Sequence, residues 1–145
     1  MNTLRLPLIA LLLISCAATD APRPPGIAQP DVSVRLVNPI FFGSGTTAPA
    51  TLEVTITNRA NVPITLRTLE VSSPGMVEYS LFPHTRQFNE TIAPGETKTL
   101  TVFATARTGI ARLSPTEPLS VRVIADFEAN GKRFRDAYLN LRADR

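Results

Sequence analysis

From Asp31 onward, apolar and polar residues alternate with the two-residue period of a half-buried strand, and the 3.6-residue period of a helix is absent. Val32, Val34 and Leu36 alternate with Ser33 and Arg35 up to Asn38-Pro39. Ile40-Phe41-Phe42 follows, and then the flexible run Gly43-Ser44-Gly45-Thr46-Thr47. Leu52, Val54 and Ile56, set against Glu53, Thr55 and Thr57, form the clearest half-buried strand, and Asn58 to Pro63 reads as a turn. Ile64 and Leu66 are out of phase with Leu69 and Val71, which predicts a bulge near Arg67-Thr68. Ser73-Pro74-Gly75 closes that strand, and Val77, Tyr79 and Leu81 give a shorter one ended by Pro83-His84. Phe88 and Ile92 lead into Ala93-Pro94-Gly95-Glu96, a turn in which proline presets φ and glycine supplies a positive φ. Leu100, Val102 and Ala104 form a strand with a threonine-rich opposite face, and residues 107–118 read as a loop.

The last hairpin carries the most local information. Leu119, Val121, Val123, Ala125 and Phe127 alternate up to Asn130-Gly131, the dipeptide preferred in a two-residue type I′ turn. With those two residues at the tip, Phe127 faces Phe134 and Val123 faces Tyr138, while Glu128 meets Arg133 and Asp126 meets Arg135. Each such cross-strand pair contributes roughly 0.2–1 kcal/mol. The same register puts Asp136 on the apolar side and Leu139 and Leu141 on the other, so a further bulge near Asp136 is expected. The sum is an all-β chain of about seven or eight short strands, the pattern of an antiparallel sandwich. No Cys…Trp…Cys spacing is present, which excludes a true antibody-type domain.

Residues 1–15 follow a different pattern. Arg5 and the α-amino group precede an unbroken apolar run from Leu8 to Ile14, and the small residue Ser15 comes next. That run is too short for the roughly 20 residues of a membrane span. Leu13-Ile14-Ser15-Cys16 resembles the lipobox of bacterial lipoproteins. The resemblance implies cleavage between Ser15 and Cys16, a diacylglycerol on the Cys16 sulfur and acylation of the new amine. Each buried methylene contributes about 0.8 kcal/mol, so two or three acyl chains anchor stably. Cys16 is the only cysteine, and in an oxidising compartment a lone thiol is a liability unless lipid consumes it. Ala17 stands where an aspartate would favour inner-membrane retention, so the resemblance implies the outer membrane, facing the periplasm.

Residues 16–30 read as the lipidated Cys16 and a flexible tether, with Pro22, Pro24, Pro25 and Pro30 in an alanine-rich context. Such a segment extends at about 3 Å per residue and would hold the domain, residues 31–145, some tens of Å from the membrane. Loss of Arg5 with the signal lowers the formal net charge from +3 to about +2, and like charges form no block. Nucleic acid is therefore not an expected partner.

Three stretches carry a second resemblance: Thr51 to Asn58, Pro63-Ile64-Thr65-Leu66, and Ile92 to Val102 with its Pro94-Gly95-Glu96 turn. They resemble bacterial immunoglobulin-like accessory domains, in which a strand ending in Asn precedes a Pro-Gly-Glu turn and another strand. The chain is similar, more faintly, to the water-stress and hypersensitive-response domains of late-embryogenesis-abundant proteins. Asn38-Pro39 stands at their Asn-Pro, with Ile40 where that motif carries Asn. The first resemblance implies an immunoglobulin-like β-sandwich that acts through protein or surface contacts in the cell envelope. The second implies a protective role under envelope stress. Both mark a fold and carry over no functional residue.

The inventory for catalysis is thin, and neither an enzyme nor a cofactor is expected. His84 is the sole histidine, beside Pro83, and reads as a solvated loop residue. The competing reading, from another class, is a small-ligand binder or enzyme using a loop cluster around His84. Gly43-Ser44-Gly45 lacks the spacing of a Gly-x-Ser-x-Gly elbow. One histidine and a lipidated cysteine do not make a zinc site. Two stretches are candidates for binding. Phe41 and Phe42 either present aromatics to a partner or lipid surface or continue an edge strand of the core. Lys132, Arg133 and Arg135 at the hairpin tip either touch anionic lipid or glycan or serve the ion-paired hairpin.

Overall fold

A computed structural model describes residues 21–74, 79–109 and 119–143. Within them the alternating pattern forms eight strands: β1 (Asp31–Leu36), β2 (Thr47–Thr57), β3 (Ile64–Ser72), β4 (Tyr79–Leu81), β5 (His84–Ile92), β6 (Thr97–Thr108), β7 (Leu119–Ala129) and β8 (Lys132–Ala143). All pair antiparallel, in two four-stranded sheets ordered β1-β2-β6-β4 and β5-β3-β7-β8. The chain changes sheet at every connection from β2 through β7, while β2 pairs with β6 and β3 with β7. These two central pairs are thus interlocked, and neither sheet is complete without both halves of the chain.

The core lies between the sheets. Leu52, Val54, Ile56 and Val102 come from one side and Ile64, Leu66, Leu69, Val71, Val121, Val123 and Phe127 from the other, all fully buried. Burying each of these side chains contributes about 1.5–3 kcal/mol. Phe127 and Phe134 lie across the last hairpin with ring centroids 5.6 Å apart. Their opposition follows from the register predicted above, with Val123 opposite Tyr138, Asp126 opposite Arg135 and Glu128 opposite Arg133. Asn130 and Gly131 both take positive φ, 51° and 72°, as the type I′ turn requires. The irregularity expected near Arg67-Thr68 is present, between Leu66 and Thr68.

Several expectations are corrected. The bulge expected near Asp136 falls instead between Val121 and Val123, opposite Leu139 and Asn140, where Asn140 takes a φ of 57°. It returns Leu141 to the core side while Leu139 stays exposed. Asp136 keeps its inward place, only 6% exposed, because Arg23 neutralises it there. The loop read from residue 107 begins later, since Arg107 and Thr108 belong to β6. His84, expected in a loop, and Phe88 and Ile92, expected only to lead into a turn, belong to one nine-residue strand.

The composition of residues 16–30 predicts a free spacer, yet its described part lies against β8. Arg23 grips Asp136 with three hydrogen bonds, of 3.2, 3.2 and 3.0 Å. The Arg135 amide donates to the Ala21 carbonyl at 3.2 Å, and the Tyr138 hydroxyl donates to the Pro30 carbonyl at 2.8 Å. Burial, and then the charge of Asp136, pushes the Tyr138 phenol well above its ordinary value, so it stays a donor. The signal segment with Ser15, the anchor residue Cys16, Val77 and residues 110–118 lie outside the described residues.

Candidate interaction surface

Strand direction sorts the loops to two ends of the sandwich. Residues 37–46, 73–74 and 82–83 lie at one end, where β1, β3 and β6 finish. Residues 58–63 and 93–96 lie at the other, with the Asn130-Gly131 tip.

At the first end, the loop after β1 turns on itself, with the Gly45 amide donating to the Phe42 carbonyl at 2.9 Å and Gly43 at a φ of 56°. The Thr108 amide then donates to the Thr46 carbonyl at 2.9 Å, which ties the loop to the end of β6. Phe42 packs against the core, whereas Phe41 is 82% exposed. The edge strand expected here is absent: Phe42 packs on the core from a loop, and the Phe41 ring faces water. Phe82 shares this end, with the Arg107 guanidinium 5.3 Å from its ring centroid and the Arg107 Nε donating to the Ser80 hydroxyl at 3.1 Å. A cation over an aromatic face contributes about 0.5–1 kcal/mol at an exposed site. His84 opens β5 nearby, exposed and opposite Val71. Among the described residues, no group of three or more His, Cys, Asp or Glu could hold a metal ion.

The other end is held by hydrogen bonds. Asn58, the last residue before the turn, is fully buried. Its Nδ2 donates to the Val62 and Ile92 carbonyls at 2.8 and 3.0 Å, and its Oδ1 accepts from the Ala60 amide at 2.8 Å. Its main chain exchanges bonds with the Pro-Gly-Glu turn: its amide donates to the Glu96 carbonyl, and its carbonyl accepts from the Gly95 amide. Gly95 takes a φ of 74°, and the Glu96 carboxylate closes the turn on the Ala93 amide at 2.7 Å. The two motifs behind the immunoglobulin-like resemblance therefore touch one another.

Most cations of the hairpin tip have partners. The Arg135 Nε donates to Asp126 at 2.7 Å, and Arg133 lies 3.5 Å from Glu128, which Arg67 also holds at 3.0 Å. Burial pushes the Asp126 carboxyl up, but the Arg135 and Thr68 hydrogen bonds and the charges of Arg135 and Arg133 outweigh it and hold the group below its ordinary value. Lys132 is exposed and pairs with no described residue. Of the sequence-predicted site residues, Phe41 and Phe42 thus stand at one end and Lys132, Arg133 and Arg135 near the other.

Sequence reasoning missed the Arg23–Asp136 pair and the buried role of Asn58. Each half of the first was visible: Arg23 is the single charge in residues 21–30, and Asp136 is a lone acid on an apolar side. Nothing local joins residues 113 positions apart.

No family model and no curated protein sequence matches the chain. Among solved structures it is similar to a Northeast Structural Genomics Consortium target, at 11% identity and a TM-score of 0.52, over 81% of this chain and 86% of that one. It is also similar to a protein from Archaeoglobus fulgidus, at 12% identity and a TM-score of 0.44, over 75% of this chain and 90% of that one. A β-glucosidase involved in saponin metabolism from intestinal bacteria aligns at 16% identity and a TM-score of 0.38, over 77% of this chain and 16% of the enzyme. The first of these likenesses is one of fold.

Proposed function

We propose that the chain is a lipid-anchored protein of the cell envelope, held at the outer membrane through Cys16. Its sandwich is immunoglobulin-like and acts without catalysis, by presenting the Phe41 end to an envelope protein or surface. The observation that carries this reading is the polarity of the domain. Ala21 and Arg23 are bound on the hairpin half of β8, while the exposed Phe41 ring stands at the opposite end. Only residues 16–20 then separate the lipid from the domain, a reach of at most about 18 Å. A short lead of this kind keeps the hairpin end near the membrane and turns the aromatic loop away from it. Exposed aromatic side chains are characteristic anchors of protein interfaces. The interlocked β2/β6 and β3/β7 pairs and the Asn58 clamp on the Pro-Gly-Glu turn support the immunoglobulin-like assignment.

The test is photo-cross-linking in the native host, with the reactive residue at position 41 or 132 of the full chain. Position 41 is expected to yield one discrete protein adduct, and position 132 lipid adducts without protein. His84→Ala in the same background is expected to leave the position-41 adduct unchanged. Protein capture from position 132 with none from position 41 contradicts the reading.

A further inference from the structure

Among the described residues, the outer edge of β5 pairs with no other strand. β5 ends its sheet and, among those residues, pairs on one side alone, with β3, seven of its nine residues being in register and Phe88 and Asn89 standing at the irregularity opposite Arg67. At the far side of that sheet, residues 21–30 run beside β8, and Ala21 takes the Arg135 amide. β1 and β4 are shorter edges, of six and three residues. An open edge invites another strand, and proteins commonly blunt it with charged side chains turned toward the core. β5 has two of these. Arg86 stands opposite buried Leu69 and Glu90 opposite buried Leu66, with Phe88 between them packed against the core. Arg86 lies over the Phe88 ring at 5.0 Å and donates to the Thr101 carbonyl, and Glu90 takes Lys98 at 3.1 Å.

Charges along an edge disfavour an ordinary strand but accept one that brings opposite charges at the same levels. The strand that meets this condition is β5 itself. Read outward from Phe88, the sequence Thr85-Arg86-Gln87-Phe88-Asn89-Glu90-Thr91 is chemically self-complementary when two copies run antiparallel. Phe88 meets Phe88, each Arg86 meets a Glu90, each Gln87 an Asn89 and each Thr85 a Thr91. A two-fold axis through Phe88 and normal to the sheet keeps every inward residue on the inward side of both copies. We infer that β5 is the self-recognition edge of this protein, joining two copies through an antiparallel β5–β5 pair into one continuous eight-stranded sheet. The inward charges thus act as a selectivity device, refusing strands of other sequence and admitting a second copy. The inference is independent of the anchor and of the Phe41 loop.

Sedimentation equilibrium of the full chain in mild detergent tests it, each variant first showing the far-ultraviolet circular dichroism of the wild type. The wild type is expected to be a dimer at micromolar concentration. Arg86→Glu or Glu90→Arg alone sets two like-charge pairs across the axis and is expected to weaken association on the order of 10- to 100-fold. Mixing the two variants puts the glutamates of one against the arginines of the other, and the dimer is expected to return. The double variant R86E/E90R, which restores opposite charges within one chain, is expected to dimerise by itself. A monomeric wild type overturns the inference. So does a dimer indifferent to both reversals, and so does failure of both the mixture and the double variant to associate.

Discussion

Replacing Asn58 with Ala is expected to destabilise the domain by about 3–5 kcal/mol, a large part of the roughly 5–15 kcal/mol that holds a domain of this size. The side chain is fully buried and makes three hydrogen bonds to main-chain groups, donating to the Val62 and Ile92 carbonyls and accepting from the Ala60 amide. Alanine removes all three bonds, and those to the Ile92 carbonyl and the Ala60 amide lie in the buried interior. Asn58→Asp separates this from a simple loss of volume. Aspartate keeps an acceptor for the Ala60 amide but aims a second oxygen at two carbonyls. It is expected to cost at least as much as alanine at neutral pH. That deficit shrinks as the pH is lowered, because only the protonated acid can donate, whereas the alanine deficit shows no such trend. Denaturant unfolding of the three proteins at pH 7 and pH 4 measures both effects.

Arg23→Ala is expected to cost about 2–4 kcal/mol, because it strands a buried carboxylate. Asp136 is 6% exposed and cannot turn to water, whereas Arg23 is 30% exposed and can be solvated once its partner is gone. Asp136→Ala is therefore expected to cost less than Arg23→Ala, although it removes the same ion pair. Combining the two is expected to recover part of the Arg23→Ala loss, since no charge is then left buried. The local readout is hydrogen exchange at the Arg135 amide, which donates to Ala21. Arg23→Ala is expected to speed that exchange while the amides between β3 and β7 keep their protection. Equal costs for the two single variants would show that the segment contributes packing alone.

These two sites also mark where the sequence stops being legible. The last hairpin could be read to the residue because a turn that demands positive φ, one aromatic pair and two ion pairs specify the same register within fifteen residues. The phase break at Leu66 to Leu69 was equally local, since a bulge is written into the alternation itself. β5 was not legible, for an edge strand exposes both faces and loses the alternation that announces a buried one. In the sequence Asp136 demands a bulge, because its compensating charge lies 113 positions away, in a segment whose composition predicts no contact with anything. Asn58 read as an ordinary turn residue for the same reason: its partners Glu96 and Ile92 are neighbours only once the sheets have closed. Of the candidate surface, the aromatic stretch and the basic tip were visible. Their placement toward opposite ends was not, since it depends on which way each strand runs.

Acylation of Cys16 is the premise on which the polarity of the domain becomes a function. The most direct measurement is labelled palmitate fed to the native host, followed by isolation of the full chain and of Cys16→Ser. The account predicts label on the wild-type chain, none on the serine variant and release of that variant from the membrane fraction. A wild-type chain that carries no label, or a serine variant that still does, would contradict it.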